Sequence, residues 1–266
     1  MSILEIKELT VSIGQRRVID GVSLDLRPGE VTALVGESGS GKTLTALAVL
    51  DLLPGSAVRQ AGRVLFKGVD IFSLPGERVR QLRGNDIAMV FQEPFTALDP
   101  VMRCGAQVSE AVLAHRKMPR AGVRRRVSEL FDMVKLPDGT AQSYPHELSG
   151  GMRQRLVLAM ALACDPEVLM LDEPTTALDV SIQNEILELV MRINKEKGPA
   201  TLFITHDFSV VDMIADRVSV MKNGVIVEDG EKGGVMTRPM HWYTRQLMEC
   251  IPRLGDTRRR LPTGRT

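Results

Sequence analysis

Residues 36–43 read Gly-Glu-Ser-Gly-Ser-Gly-Lys-Thr, three glycines and two serines gathered around one lysine. A stretch this bare can bury little, but its spacing, G-x-x-x-x-G-K-[ST], suits one chemistry well. Gly36, Gly39 and Gly41 open backbone conformations closed to other residues, so the loop that also holds Glu37, Ser38 and Ser40 can turn its N–H groups toward phosphate oxygens. Lys42 adds a point charge for the outer phosphates, and the Thr43 hydroxyl can ligate Mg²⁺.

A second set of reactive groups follows the apolar run Val168 to Leu171, which ends in Asp172 and Glu173. Such a run fits a parallel strand buried on both faces, with its carboxylates emerging at the C-terminal edge where open sheets bind ligands. Asp172 can then hold Mg²⁺ through water, and Glu173 can polarise an attacking water. A third stretch, LSGGMRQR from Leu148 to Arg155, places Ser149 as a helix N-cap with Gly150 and Gly151 keeping the approach clear. From the residues alone it is either a second anion-binding helix end or a capped helix without a ligand.

Positioning these groups requires a strand, a glycine loop and a helix in that order. The apolar run Val31 to Val35 leads into the loop, and TLTALAVLDLL after it reads as a helix. Short strands are expected near Leu4 to Ile13, Val18 to Leu26, Ile87 to Phe91 and Thr201 to Thr205, with a turn at Pro28 and Gly29. Val123, Val127, Leu130, Phe131 and Val134 recur at helical spacing, which leaves Arg124 to Arg126 on the outer, solvated face.

The 266 residues suit one large α/β domain with an inserted subdomain. Hydrophobic residues at 44% and charged residues at 25% describe a chain able to bury a sizeable core. A net charge of +1 argues against nucleic acid as a partner. Cys104, Cys164 and Cys250 are odd in number and far apart, which fits a reducing compartment and neither a disulfide framework nor a metal knuckle. Neither a secretion signal nor a membrane-spanning run is expected from the sequence.

Taken together, the motifs resemble the ATP-binding cassette subunits of ABC transporters, over nearly the whole chain from Ile3 to Leu254. The resemblance implies an α/β fold, a P-loop NTPase (RecA-like) core with an antiparallel β subdomain and an inserted α-helical subdomain. It divides the chain into a nucleotide-binding domain at 1–252 (core 1–92 and 156–235, helical subdomain about 93–155) and a C-terminal extension with a basic tail at 236–266. By the same resemblance, Gln92 matches the glutamine that senses the γ-phosphate and Mg²⁺, Asp179 the D-loop, and His206 the switch histidine on the γ-phosphate. Alone, His206 would more often be a surface or packed histidine.

The family's geometry implies that Ser149, Gly150 and Gly151 of one cassette close over an ATP held by Lys42 of another. Where the family places an aromatic ring on adenine, this chain has Ile13 with Val18 as a second apolar contact; Ile13 is equally readable as a plain strand residue. LRGNDIAMVFQEPFTALDPV and HWYTRQLMECIPRL are similar to the first ATPase subunit of oligopeptide, dipeptide and nickel importers, with Trp242 in place of a proline. That subfamily implies a second, paralogous ATPase subunit, two transmembrane permease subunits and an extracytoplasmic solute-binding protein. It places the chain peripherally at the cytoplasmic face of the bacterial inner membrane, with coupling through Gln92 to Phe95. ATP and Mg²⁺ are the expected cofactors and no iron-sulfur cluster is expected. An exporter cassette and a soluble ABC ATPase are the alternatives. The arginines of the tail, Arg253, Arg258, Arg259, Arg260 and Arg265, fit contact with acidic lipid, docking on a partner, or disorder.

Overall fold

Two sheets divide the strands by pairing type in the computed structural model, which describes residues 1–93, 97–176 and 178–249. β1 (Leu4–Ile13), β2 (Arg16–Leu26), β4 (Ala57–Phe66) and β5 (Val69–Asp70) form an antiparallel sheet in the order β2-β1-β4-β5. β3 (Val31–Val35), β6 (Ile87–Val90), β7 (Val168–Asp172), β8 (Ala200–Thr205), β9 (Arg217–Lys222) and β10 (Val225–Glu231) form the other. Its order is β10-β9-β3-β8-β7-β6, parallel throughout except for the β9–β10 hairpin.

The period-two geometry of a strand explains why β7 is apolar at every position before Asp172. Val168 and Met170 face a core shared with the antiparallel sheet and with α1 (Lys42–Val49) and α2 (Gly76–Leu82). Leu169 and Leu171 face the opposite core, built under α3 (Cys104–Leu113), α4 (Arg120–Met133), α5 (Gly150–Ala161) and α6 (Val180–Lys197). A third core lies against β3 and β9, covered by α7 (Phe208–Ile214), α8 (Lys232–Thr237) and Tyr243 of α9 (Trp242–Glu249). Each fully buried Val, Leu or Phe in these layers contributes on the order of 1.5–3 kcal/mol, so the strand ends at Asp172 and His206 and the start of α1 at Lys42 are held on a stiff platform.

Local endings differ from the sequence expectation where backbone caps intervene. α1 stops at Val49 instead of running on through Leu53. Asp51 takes a left-handed φ of 53°, its N–H bonds to Ala48 O and the Leu52 N–H to Leu47 O, which closes the helix. β6 ends at Val90, one residue before Phe91. The expected boundary near residue 155 falls inside α5, so the helical segment and the core share that helix.

Arg126 overturns the expectation of a solvated arginine run. Arg124 and Arg125 are exposed, but Arg126 is 8% exposed. Its guanidinium donates to Ala163 O at 3.1 Å and Leu162 O at 3.0 Å and pairs with Asp165 at 2.8 Å. The α5 helix leaves carbonyls without partners at its C-terminus, and a planar, permanently charged donor satisfies them. Burial pushes the Asp165 carboxyl upward, but the Arg126 hydrogen bond and the charges of Arg126 and Lys197 overcome it and hold the pKa below the usual range.

No helix among the described residues is long and apolar enough to cross a membrane. Phe95, Cys250 and the Arg-rich tail lie outside the described residues.

Candidate active site

The loop between β3 and α1 is bare because the neighbouring backbone leaves no room. A Cβ added at Gly36 would lie 2.1 Å from Met221 O, and one at Gly41, where φ is 107°, would lie 2.9 Å from Val18 O. With β9 and β2 pressed so close, glycine alone keeps the loop seated. Hydrogen bonds fix the rest: Gly224 N–H donates to Ser40 O at 2.9 Å, and the Thr45 hydroxyl to Gly41 O at 3.0 Å. The Glu37 N–H donates to the Tyr243 hydroxyl at 3.1 Å. Gly41 caps α1 without any side-chain bond and no acid stands in the first turn, so the helix's leading N–H groups remain available to an anion.

Lys42 opens α1 and is 5% exposed. Its ammonium donates to Gly36 O at 2.8 Å and Glu37 O at 2.9 Å, arching over the loop. Burial lowers its pKa, and the charges of Glu173, Asp172 and Glu37 work against that shift. Asp172, 1% exposed at the end of β7, accepts from the Thr43 hydroxyl at 3.1 Å. Its pKa is raised by burial, with the Thr43 hydrogen bond opposing. An alcohol and a carboxylate side by side, the Thr43 hydroxyl and the Asp172 carboxylate, are the oxygen donors a hard divalent cation prefers. The residues therefore fit Mg²⁺.

Glu173 sits one residue further, with φ at 46°, a left-handed backbone that costs a non-glycine residue free energy and is found preferentially at functional sites. Its N–H is tied to Ile204 O at 3.0 Å, which aims the side chain outward from the sheet edge. One carboxylate oxygen accepts from Gln92 Nε2 at 3.1 Å and from Thr176 Oγ1 at 2.9 Å; the other lies 3.1 Å from His206 Nδ1. Three strand ends, β6, β7 and β8, thus converge on one carboxylate. Thr176 was not singled out from the sequence; its only signal there is its position three residues after Glu173.

These groups line a cleft of about 700 Å³, a size that suits a nucleotide. It brings together Gly36, Glu37, Ser38, Gly39, Gly41, Lys42 and Thr43 with Gln92, Glu173, His206 and Val18. Ser40, within the loop, and Asp172, at the end of β7, are buried and do not line the cleft. Arg16, Arg17, Leu44, Asn223 and Leu247 also line it and were missed from sequence, while Ile13 is not among the lining residues. Ile13 ends β1, its backbone paired with Arg16 and Ala57 in the antiparallel sheet.

Residues 19–176, more than half of the chain, match the ABC transporter family. The chain belongs to that family. The dipeptide transport ATP-binding protein DppD of Bacillus subtilis is 45% identical over 259 residues, covering 95% of this chain and 77% of its own length. A putative peptide import ATP-binding protein of Brucella ovis is 46% identical over 266 residues, covering 96% and 79%. The peptidoglycan transport ATP-binding protein YejF of Agrobacterium fabrum is 47% identical, and the chain spans 47% of its length. Among solved structures, cbiO1 from Clostridium perfringens, part of the cbiONQ ABC transporter complex, superposes with a TM-score of 0.78 at 29% identity, covering 89% of this chain and 91% of its own. The dimeric cassette MJ0796 gives 0.76 at 26% identity, covering 86% and 98%. MJ0796 is also known in a dimeric post-hydrolysis state with ADP and Pi. As an ABC ATPase, this chain binds and hydrolyses ATP.

In this ABC cassette the LSGG stretch lies apart from the cleft. Ser149 caps α5, its hydroxyl accepting the Met152 N–H at 3.3 Å. A Cβ at Gly151 would lie 2.5 Å from Ile182 Cγ2, so within the chain this glycine permits the packing of α5 on α6. A Cβ at Gly150 would meet Leu178 at 3.4 Å, next to the exposed Asp179 that starts α6. Ser149, Gly150, Gly151 and Asp179 thus share one neighbourhood, and none of them lines the cleft.

Proposed function

We propose that this chain is the ATP-hydrolysing subunit of a bacterial peptide importer, working at the cytoplasmic face of the membrane with two permease subunits and a solute-binding protein. The observation that carries the catalytic part is the Glu173 carboxylate, held by Gln92, Thr176 and His206 beside Lys42. The cargo rests on relatives of 43–47% identity named for dipeptide, peptide or peptidoglycan transport.

In this reading the α1 N–H groups and Lys42 hold the phosphates, and Thr43, Gln92 and Asp172 hold Mg²⁺, which when bound neutralises charge on the outer phosphates. Glu173 accepts a proton from water as its oxygen bonds to the γ-phosphorus; the bond to the β-phosphate oxygen breaks, releasing ADP and inorganic phosphate. His206 and Gln92 orient the γ-phosphate and that water. A second cassette, of a paralogous chain, supplies Ser149, Gly150, Gly151 and Asp179 equivalents across the nucleotide, because this chain's own set lies outside its cleft.

Affinity purification of the tagged chain from detergent-solubilised native membranes, with ATP and vanadate, tests the assignment. Two membrane subunits and a second cassette should co-purify, with a peptide-binding protein encoded or recovered alongside. Recovery of the chain alone, or with ribosomes, would remove the importer reading and leave the ATPase.

A further inference from the structure

We propose that Tyr243 is a positioning residue for the nucleotide loop, so that the segment following residue 236 is part of what shapes the ATP site. Its ring is 0% exposed, packed with Ala33, Val35, Phe208 and Val211 beneath β3 and β9. Its hydroxyl reaches out of that core and accepts the Glu37 N–H at 3.1 Å, a contact between residues 206 apart in the chain. Glu37 is the second residue of the loop, the point at which the chain leaves β3 and starts its turn toward α1.

The anchor is itself braced. The Glu228 carboxylate accepts the N–H groups of Met240 and His241 at 2.8 and 3.0 Å, fixing the entry to α9. Lys222 places its ammonium 3.9 Å from the Trp242 ring centre and 4.3 Å from that of Tyr243. Lys222 directly follows Met221, whose carbonyl crowds Gly36, so strand end, loop and α9 meet at one point. Leu247, one turn beyond Tyr243 on the same helix face, lines the cleft. Burial raises the Tyr243 pKa, with the Glu37 amide hydrogen bond opposing.

A loop holding this bond is already in its binding shape. Without it the loop is competent only part of the time, and apparent affinity falls by that fraction while the chemical step is untouched. The inference rests on reading residues 36–43 as the nucleotide cradle.

Tyr243→Phe removes one oxygen and leaves the core filled. It should raise the ADP Kd of the full chain, and the ATP KM of its complex with the second cassette, by roughly 3–10-fold with kcat within about twofold, the signature of a lost preorganised state. Val235→Ala, in the same core but without a polar contact to the loop, should lower the unfolding midpoint and leave KM unchanged. Lys42→Ala serves as the marker of the cradle. Unchanged KM and Kd in Tyr243→Phe while Lys42→Ala abolishes binding would overturn the inference alone, as would an equal rise in KM for Val235→Ala. Normal nucleotide binding by Lys42→Ala would remove the cradle reading together with it.

Discussion

The N-termini of α1 and α5 start from similar material, glycines ahead of an apolar helix, and use it in opposite ways. At α1 the cap is Gly41, no side chain satisfies the leading N–H groups, and the buried ammonium of Lys42 stands over them. At α5 the Ser149 hydroxyl takes the Met152 N–H, and Gly151 serves the contact with Ile182. One helix end waits for an anion inside its own chain; the other, with one leading N–H capped by Ser149, lies near Asp179, away from the cleft. Two glycine-rich helix starts therefore carry different information, and what separates them is where each faces: one into the chain's own cleft, the other away from it.

The contrast is broken most severely at the α1 side. Glu173→Gln should reduce ATP turnover by about 10²–10⁴, the worth of a positioned general base, with ATP binding retained. Near-normal turnover in a steady-state phosphate-release assay would take Glu173 out of the chemistry. Lys42→Ala should weaken ATP binding by at least ~30-fold in calorimetry, since it deletes a buried cation aimed at an anion. Unchanged binding would discard residues 36–43 as the phosphate cradle.

The smallest effect belongs to the other end of α5. Arg126→Ala should lower the thermal midpoint by a few degrees, through unpaired Leu162 and Ala163 carbonyls, without changing KM. Asp165 has a folded pKa below its unfolded one, so its contribution is present above the ordinary carboxylate range and is lost as pH falls through the depressed value. The midpoint of the variant should accordingly fall less steeply on acidification than that of the wild type, measured by calorimetry between neutral pH and pH 3. Parallel curves would mean that Arg126 does not set the Asp165 pKa.

Strands buried on both faces, such as Val168–Asp172, and the glycine loop were legible in the sequence because period and spacing are local properties. Ser149 as a cap was legible for the same reason. Arg126 was not, since a run of three arginines on a helix gives no sign that its third member points at the end of another helix. The far C-terminal contributions escaped too: Leu247 reaches the wall of the cleft and Tyr243 the backbone of the loop behind it, both from a segment distant in sequence. These are facts of tertiary approach, which composition does not encode.

The account turns on α1 holding nucleotide by itself and α5 acting only across to another cassette. Ser149→Arg tests that division most directly, with ATP affinity measured on this chain and ATP turnover on its complex with the second cassette. ATP affinity within about twofold of wild type with turnover lost by ~100-fold or more is the expected result, given that the side chain lies outside the chain's own cleft. Affinity falling in step with turnover would place Ser149 in the same binding site as Lys42 and contradict the division.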